Sequence, residues 1–423
     1  MSNRYRVIVG WLLTLSLVAA ACGSGGGGDP VTDASNEVPT DESTATPEPS
    51  ATAAPTPAPE PSATAAPTPV PEPTATPEPP VGPVGASFVE PGPFAVGVTT
   101  ISLADREIEV WYPVEPPDVT GLDTETFDAL TVFPEVLQGF IPPELSGVVD
   151  TGAYRGAPPA DGTFPLVVYG HGFGGYRQVA TFHTVHIASY GFVVASADHL
   201  ERGIAEQSLD TIGQGSFDET NTRPNAAVLD VVDTIAAVGA MAELGDRVDI
   251  EQVAITGHSA GAFQAVAAAI AEPDLIDTWI SVAGGPTGEG EPDQPGLVVL
   301  AELDAVVAPD ASYELFDAAA GPVRLVNIEN AGHNSFTDSC QGILELGGLS
   351  SLEALIGPEQ VARADDGCLD RFVPPDQAQA VMNHVTVAHL FQQFGGEDVT
   401  GSFAIETIEL AAPLADFLER QGP

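Results

Sequence analysis

From Phe164 to Ile328 the chain alternates short apolar runs bounded by glycine with longer stretches of helical spacing, and few patterns constrain a fold more. The run at 164–169 is apolar on successive residues, as a strand buried on both faces must be. After it come a helix near 178–189, a strand 192–197, a helix 224–244, a strand 252–256, a helix 260–271 and a strand 278–282. A strand 297–301, a helix 309–319 and a strand 323–328 continue the series, with helices expected at 376–394 and 405–419. A hairpin, 94–103 with 107–112, precedes it and is expected to stop at Pro113. Such alternation predicts an α/β domain: a mostly parallel central sheet with helices on both faces. Residues 114–163 and 336–375 are less regular and are expected to form a lid or pocket wall.

The N-terminal part is of another kind. Arg4 and Arg6 precede an apolar run, Val7 to Ala20, too short to cross a bilayer comfortably and followed at once by Gly and Ser. That is the form of a secretory signal peptide, here residues 1–21. The run ends Ala19-Ala20-Ala21-Cys22-Gly23-Ser24, similar to a bacterial lipobox with Ala19 where Leu is usual, so Cys22 is the expected lipidation site. Plain cleavage after the small residues is the alternative. Residues 22–90 then read as a disordered linker in which a twelve-residue unit repeats, Pro47 to Ala58 and Pro59 to Val70. It has no apolar face to bury. Its prolines force an extended spacer, and Pro47 to Pro80 would reach roughly 100 Å at ~3.1 Å per residue. The folded domain is expected to fill 91–423.

Charge excludes one class of partner. The chain holds 60 acidic residues against 12 basic ones, all arginine, a formal net charge of −48, and residues 91–423 alone carry −40. A surface this acidic repels phosphate, so no nucleic-acid partner is expected. It fits either a saline habitat, where salt relieves self-repulsion, or a compositional habit of the source. With Cys22 lipidated, Cys340 and Cys368 are the pair left in an oxidising compartment and are expected to form a disulfide worth about 3 kcal/mol on the loop-entropy model.

The chemistry concentrates in four places. Gly257-His258-Ser259-Ala260-Gly261 follows an apolar strand and opens an Ala-rich helix, the setting of a nucleophile elbow in which Ser259 is thrust out to attack. A hydroxyl needs a base, and the base an orienting acid, at the ends of later strands. Asp304 follows the strand 297–301 and His333 follows 323–328; Glu302 and Asp310 are the rival acids. The fourth place is His171-Gly172-Phe173-Gly174-Gly175, whose Phe173 N–H is expected to join that of Ala260 in an oxyanion hole. A phosphate cradle is the alternative for this loop, but it lacks the lysine of a P-loop. Asp198 and His199 read as loop-holding groups, His384 and His389 as packed helix residues, and His183 with His186 as an H-x-x-H pair lacking a third ligand, so no metal or other cofactor is expected.

These motifs resemble a known family. Trp111-Tyr112-Pro113, the run Phe164 to Arg177 (FPLVVYGHGFGGYR), the run Ala188 to His199 (ASYGFVVASADH), the elbow and the Asp304 and His333 surroundings are similar to α/β-hydrolases of the platelet-activating-factor acetylhydrolase type, with dienelactone-hydrolase, chlorophyllase and polyester-hydrolase relatives. The likeness covers about 240 residues. It departs where the elbow continues into Ala262 instead of a further Gly, and residues 200–222 and 336–375 match no part of that family. The resemblance implies the α/β-hydrolase fold and metal-free hydrolysis of a carboxylic ester, often with a short acyl chain. The expected partners are a small ester or lipid-like substrate and, through lipid on Cys22, a membrane, and the chain is expected to be a monomer. Three other readings use the same fold: a catalytically silent surface lipoprotein that binds, a polyester or lipid hydrolase, and a serine peptidase, which is disfavoured because no propeller or cap domain is expected before residue 164.

Overall fold

The long apolar runs pair edge to edge in a ten-stranded sheet. In this computed structural model, which describes residues 87–139, 147–211, 226–345, 348, 350, 353 and 358–422, its strands are β1 (Ala95–Ser102), β2 (Glu107–Val114), β5 (Tyr154–Arg155), β6 (Phe164–Gly170), β7 (Val193–Ala197), β8 (Val248–His258), β9 (Thr278–Val282), β10 (Gly296–Ala301), β11 (Val323–Ile328) and β12 (Leu414–Arg420). The order is β12-β11-β10-β9-β8-β6-β7-β2-β1-β5. The six central strands, β11 through β7, are parallel, and β2 and β12 flank them antiparallel. A separate antiparallel pair, β3 (Thr126–Asp128) with β4 (Val148–Asp150), lies in the irregular stretch 114–163. The signal segment, Cys22 and the repeat tract up to residue 86 lie outside the described residues, as do 224 and 225 at the expected start of the helix Ala226–Gly239.

Period-2 alternation splits the core into two faces. Val167, Tyr169, Ile280, Val299 and Val326 point to one, and Leu166, Val168, Trp279, Val298 and Leu325 to the other. Helices cover both, and burying each Val or Leu is worth about 1.5–3 kcal/mol. Trp279 shows how closely sequence and packing are matched. A Cβ on Gly296, its neighbour across the β9–β10 ladder, would sit 2.1 Å from the indole ring, so only glycine lets the ring lie flat there.

Two expectations need correction. The strand β2 continues through Pro113 to Val114. Its ladder with β7 ends at Trp111, so on that side Pro113 has no strand to which an N–H would be owed. The helix expected at 405–419 is one short turn, Ile405–Ile408, followed by β12. Pro413 cannot continue a helix, and Leu414–Arg420 instead pairs antiparallel with β11 as an edge strand. The anticipated disulfide Cys340–Cys368 is present, and it joins the helix Asp338–Glu345 to the segment after the helix Pro358–Ala364.

Candidate active site

The parallel strands end together at one edge of the sheet, and the chemistry-bearing residues sit there. Strand β8 runs into Ser259, which adopts φ 56 and ψ −121 before the helix Ala260–Ala271 begins. A non-glycine residue with positive φ costs about 1–3 kcal/mol and persists only where its surroundings enforce it. Three glycines make the enforcement possible. A Cβ on Gly257 would lie 2.3 Å from the Gly261 carbonyl oxygen, one on Gly261 2.0 Å from the Gly170 oxygen, and one on Gly170 3.2 Å from the Gly261 Cα. Ser259 N–H donates to the Val282 carbonyl at 2.9 Å, tying the turn to β9.

His333 lies in the turn after β11, and its Nδ1 is 2.7 Å from Asp304 Oδ2. Both residues are buried, at 5% and 7% exposure. The other oxygen, Asp304 Oδ1, accepts the N–H groups of Val306 and Val307, each at 2.8 Å. A carboxylate can only accept, so the Nδ1 of His333 carries a hydrogen, and in the neutral ring the lone pair is then on Nε2. Glu302 faces elsewhere and accepts the N–H of Asn330 at 2.9 Å, while Asp310 sits in the first turn of the helix Pro309–Ala318. Of the three candidate acids, the fold brings Asp304 to His333.

His258, just before Ser259, is the contact between the elbow and His333. The two imidazole centroids are 4.7 Å apart, and His258 Nε2 lies 3.0 Å from the His333 carbonyl oxygen, to which it must donate. Burial, with the His333 ring beside it, pushes His258 down to about 3. It therefore stays neutral and cannot compete for a proton.

Across from the elbow, Gly172 closes on the serine: a Cβ there would stand 3.1 Å from Ser259 Cβ. The loop of Phe173 thus borders the nucleophile. Ala260, first residue of its helix, has an N–H with no carbonyl four residues back to bind, and the helix dipole favours negative charge there. His171 is locked by its own bonds. Its Nδ1–H donates to the Gly172 carbonyl at 2.8 Å and its Nε2 accepts the His199 N–H at 3.1 Å.

The remaining histidines have structural partners. His183 bonds Asn383 at 2.7 Å and His186 bonds the Phe88 carbonyl at 2.8 Å, so the H-x-x-H pair points to two different places. His384 and His389 bond Phe88 N–H and Thr278. Asp198 holds Arg177 through both carboxylate oxygens. Among the described residues, His199, Glu201 and Asp230 gather ligand-type atoms within 4.8 Å of one another. Arg106 already pairs with Asp230 and Arg202 with Glu201, so the positive charge a metal would bring is supplied.

Sequence reasoning missed two supports of this site. Asp366 Oδ2 accepts the N–H of His333 at 3.1 Å and of Ala305 at 3.0 Å, holding the base loop and the acid loop on one carboxylate. Burial raises its pKa, and those two N–H groups oppose the rise. Cys368 is two residues further on, so the disulfide fixes the arm that carries this carboxylate. The second support, Arg202, falls in a stretch with no recognisable pattern. Beside the loop, a cavity of about 320 Å³ is walled by Gly175, Tyr176, Ile204, Arg177 and, from the expected wall region, Phe133.

Known proteins match parts of the chain that include these segments. The family model of platelet-activating factor acetylhydrolase, isoform II, matches residues 105–214, and that of the prolyl oligopeptidase family matches 178–285. The first spans the Phe173 loop and the second the elbow. Platelet-activating factor acetylhydrolase of Cavia porcellus is 27% identical over 130 residues, covering 27% of this chain and 29% of that relative. The chain thus aligns with under a third of that protein's length. Among solved structures, a ferulic acid esterase from Streptomyces cinnamoneus aligns with a TM-score of 0.53 and 22% identity, over 74% of this chain and 94% of that one. The chain has the α/β-hydrolase fold.

Proposed function

We propose that this chain is a serine carboxylesterase acting on short-chain esters, exported and held at a membrane by lipid on Cys22. The observation that carries the catalytic reading is the 2.7 Å bond from His333 Nδ1 to Asp304 at the strand edge where Ser259 is held at φ 56. Ser259 Oγ attacks the ester carbonyl as its proton passes to His333 Nε2. The resulting oxyanion takes the Phe173 and Ala260 N–H groups, each such donor being worth about 3–4 kcal/mol in the transition state. Collapse expels the alcohol, which receives the proton from His333. Water, deprotonated by His333, then attacks the acyl-enzyme and releases the acid and Ser259. His333 carries every proton, so the cycle calls for no metal or cofactor.

A relative and a structural neighbour named above are called an acetylhydrolase and an esterase, and the acetylhydrolase likeness favours a short acyl chain. A p-nitrophenyl series from acetate to palmitate is therefore expected to peak at about two to four carbons. A maximum at about ten carbons or more would show a lipase. Faster turnover of p-nitroanilides than of the matching esters would instead favour a peptidase, the activity of the second family model's name. No turnover combined with no fluorophosphonate labelling would leave the silent binding module.

Anchoring is tested separately on the full-length protein made in a host that processes bacterial signals. Each buried CH₂ of an acyl chain is worth ~0.8 kcal/mol. The native form is expected to partition into the detergent phase and Cys22→Ser to remain in the aqueous phase. Equal partitioning of the two would leave a cleaved, freely secreted protein.

A further inference from the structure

We propose that Arg202 is a positioning residue that sets the spacing of the two oxyanion-hole donors; this rests on the esterase reading of the same site. Those donors come from segments far apart in the chain. Phe173 N–H belongs to the loop after β6, and Ala260 N–H opens the helix after β8. Useful stabilisation of an oxyanion requires that such groups be held within roughly 0.5 Å of their productive places. The glycine contact between Gly170 and Gly261 fixes the two segments at their base. Arg202 fixes them above it.

The guanidinium is buried, 6% exposed, and each of its nitrogens is engaged. Nε donates to the His171 carbonyl at 2.8 Å, two residues before Phe173. Nη2 donates to Gln264 Oε1 at 2.5 Å, one turn into the helix that begins at Ala260. Nη1 pairs with Glu201 at 2.6 Å, which answers the buried charge. The main chain of the same residue completes the clamp, since the Arg202 carbonyl accepts the Gly174 N–H at 2.8 Å and Gln207 Nε2 at 2.6 Å. Arg202 thereby grips the loop on both sides of Phe173, while Gln264 is itself held by its Nε2 bond to the Ala227 carbonyl at 2.7 Å. A planar fork with several fixed donors can bridge a carbonyl and an amide at once, whereas an ammonium on a flexible stem cannot do so with defined geometry. In a chain with twelve basic residues among sixty acids, one arginine is spent entirely inside, behind the loop.

Arg202→Lys keeps the charge for Glu201 and removes the fork. It is expected to lower kcat toward p-nitrophenyl acetate about 10- to 100-fold, short of the full loss of a donor, with KM changed less than about twofold. A trifluoromethyl ketone, whose adduct carries the oxyanion, should lose affinity by the same factor as kcat/KM, while the product acid binds as before. Gln264→Leu should give the same signature, and the double variant should be no worse than the poorer single one, because both break one bridge. Gln264→Leu also carries the test if Arg202→Lys does not fold. Unchanged kcat in a folded variant overturns the proposal, as does an equal loss of ketone and product affinity, which marks general loosening. A wild-type protein without turnover or fluorophosphonate labelling would overturn the esterase reading itself. An active wild type with indifferent variants would overturn only the role of Arg202.

Discussion

Ser259→Ala is expected to lower kcat toward short p-nitrophenyl esters by about 10⁶-fold, as loss of the nucleophile does in serine hydrolases, while the thermal midpoint stays within a few degrees of wild type. The reason lies in what the side chain does and does not touch. The turn is held through main-chain bonds, with Ser259 N–H on the Val282 carbonyl and the Ser259 carbonyl accepting from Ala262 and Phe263. Alanine retains all of them. It also adopts φ 56 at much the same cost as serine, so the strain of the elbow is left as it was. The oxyanion donors remain, which leaves a rate some 10³-fold above water. Activity within tenfold of wild type, in a variant whose circular dichroism and melting match, would remove Ser259 from the mechanism. A large fall in melting temperature would mean that the hydroxyl is a structural bond and that the rate loss is not chemical.

The parts of the site visible in the sequence are those whose residue types are dictated locally. The elbow needs glycine at 257 and 261 for contacts of backbone on backbone, and those glycines stand in the pentapeptide. The strands β8 to β11 are buried on both faces and so are apolar on successive residues, which made their positions plain. β12 was misread for the opposite reason. It is a half-exposed edge strand, and Ile405, Ile408, Leu414 and Leu418 fall near helical spacing, while the partner that makes a strand of it is β11, some ninety residues earlier. Arg202 and Asp366 were invisible in the same way. Asp366 acts on the His333 and Ala305 N–H groups and Arg202 on the His171 carbonyl, main-chain partners that impose no residue type, while the side-chain partner of Arg202 on the elbow helix, Gln264, stands 62 residues away. The disulfide was legible because cysteine is rare here, but not that its arm carries the carboxylate beneath the base.

Asp304→Asn is expected to cost about 10⁴-fold in kcat, and Glu302→Gln less than about twofold, although the two acids are two residues apart. The bonds around Asp304 force the difference. Its Oδ1 receives two N–H groups, from Val306 and Val307, which only an oxygen can accept. In the asparagine variant the single amide oxygen must stay with them, so the NH₂ turns toward His333 Nδ1. An NH₂ donates, and His333 Nδ1 must then accept, which moves the imidazole hydrogen to Nε2, the atom that has to take the proton of Ser259. The variant would therefore keep its packing and hold its base in the wrong tautomer. Glu302 carries no such burden. Its Oε2 accepts the Asn330 N–H at 2.9 Å, and the amide oxygen of glutamine can do the same. The chemical shifts of the His333 ring nitrogens in labelled protein would report the tautomer directly, alongside the rates. Near-full activity in Asp304→Asn with loss in Glu302→Gln would transfer the orienting role to Glu302. Loss in both, with Nε2 of His333 still unprotonated in Asp304→Asn, would mean that the acid acts by its charge and not by fixing the tautomer.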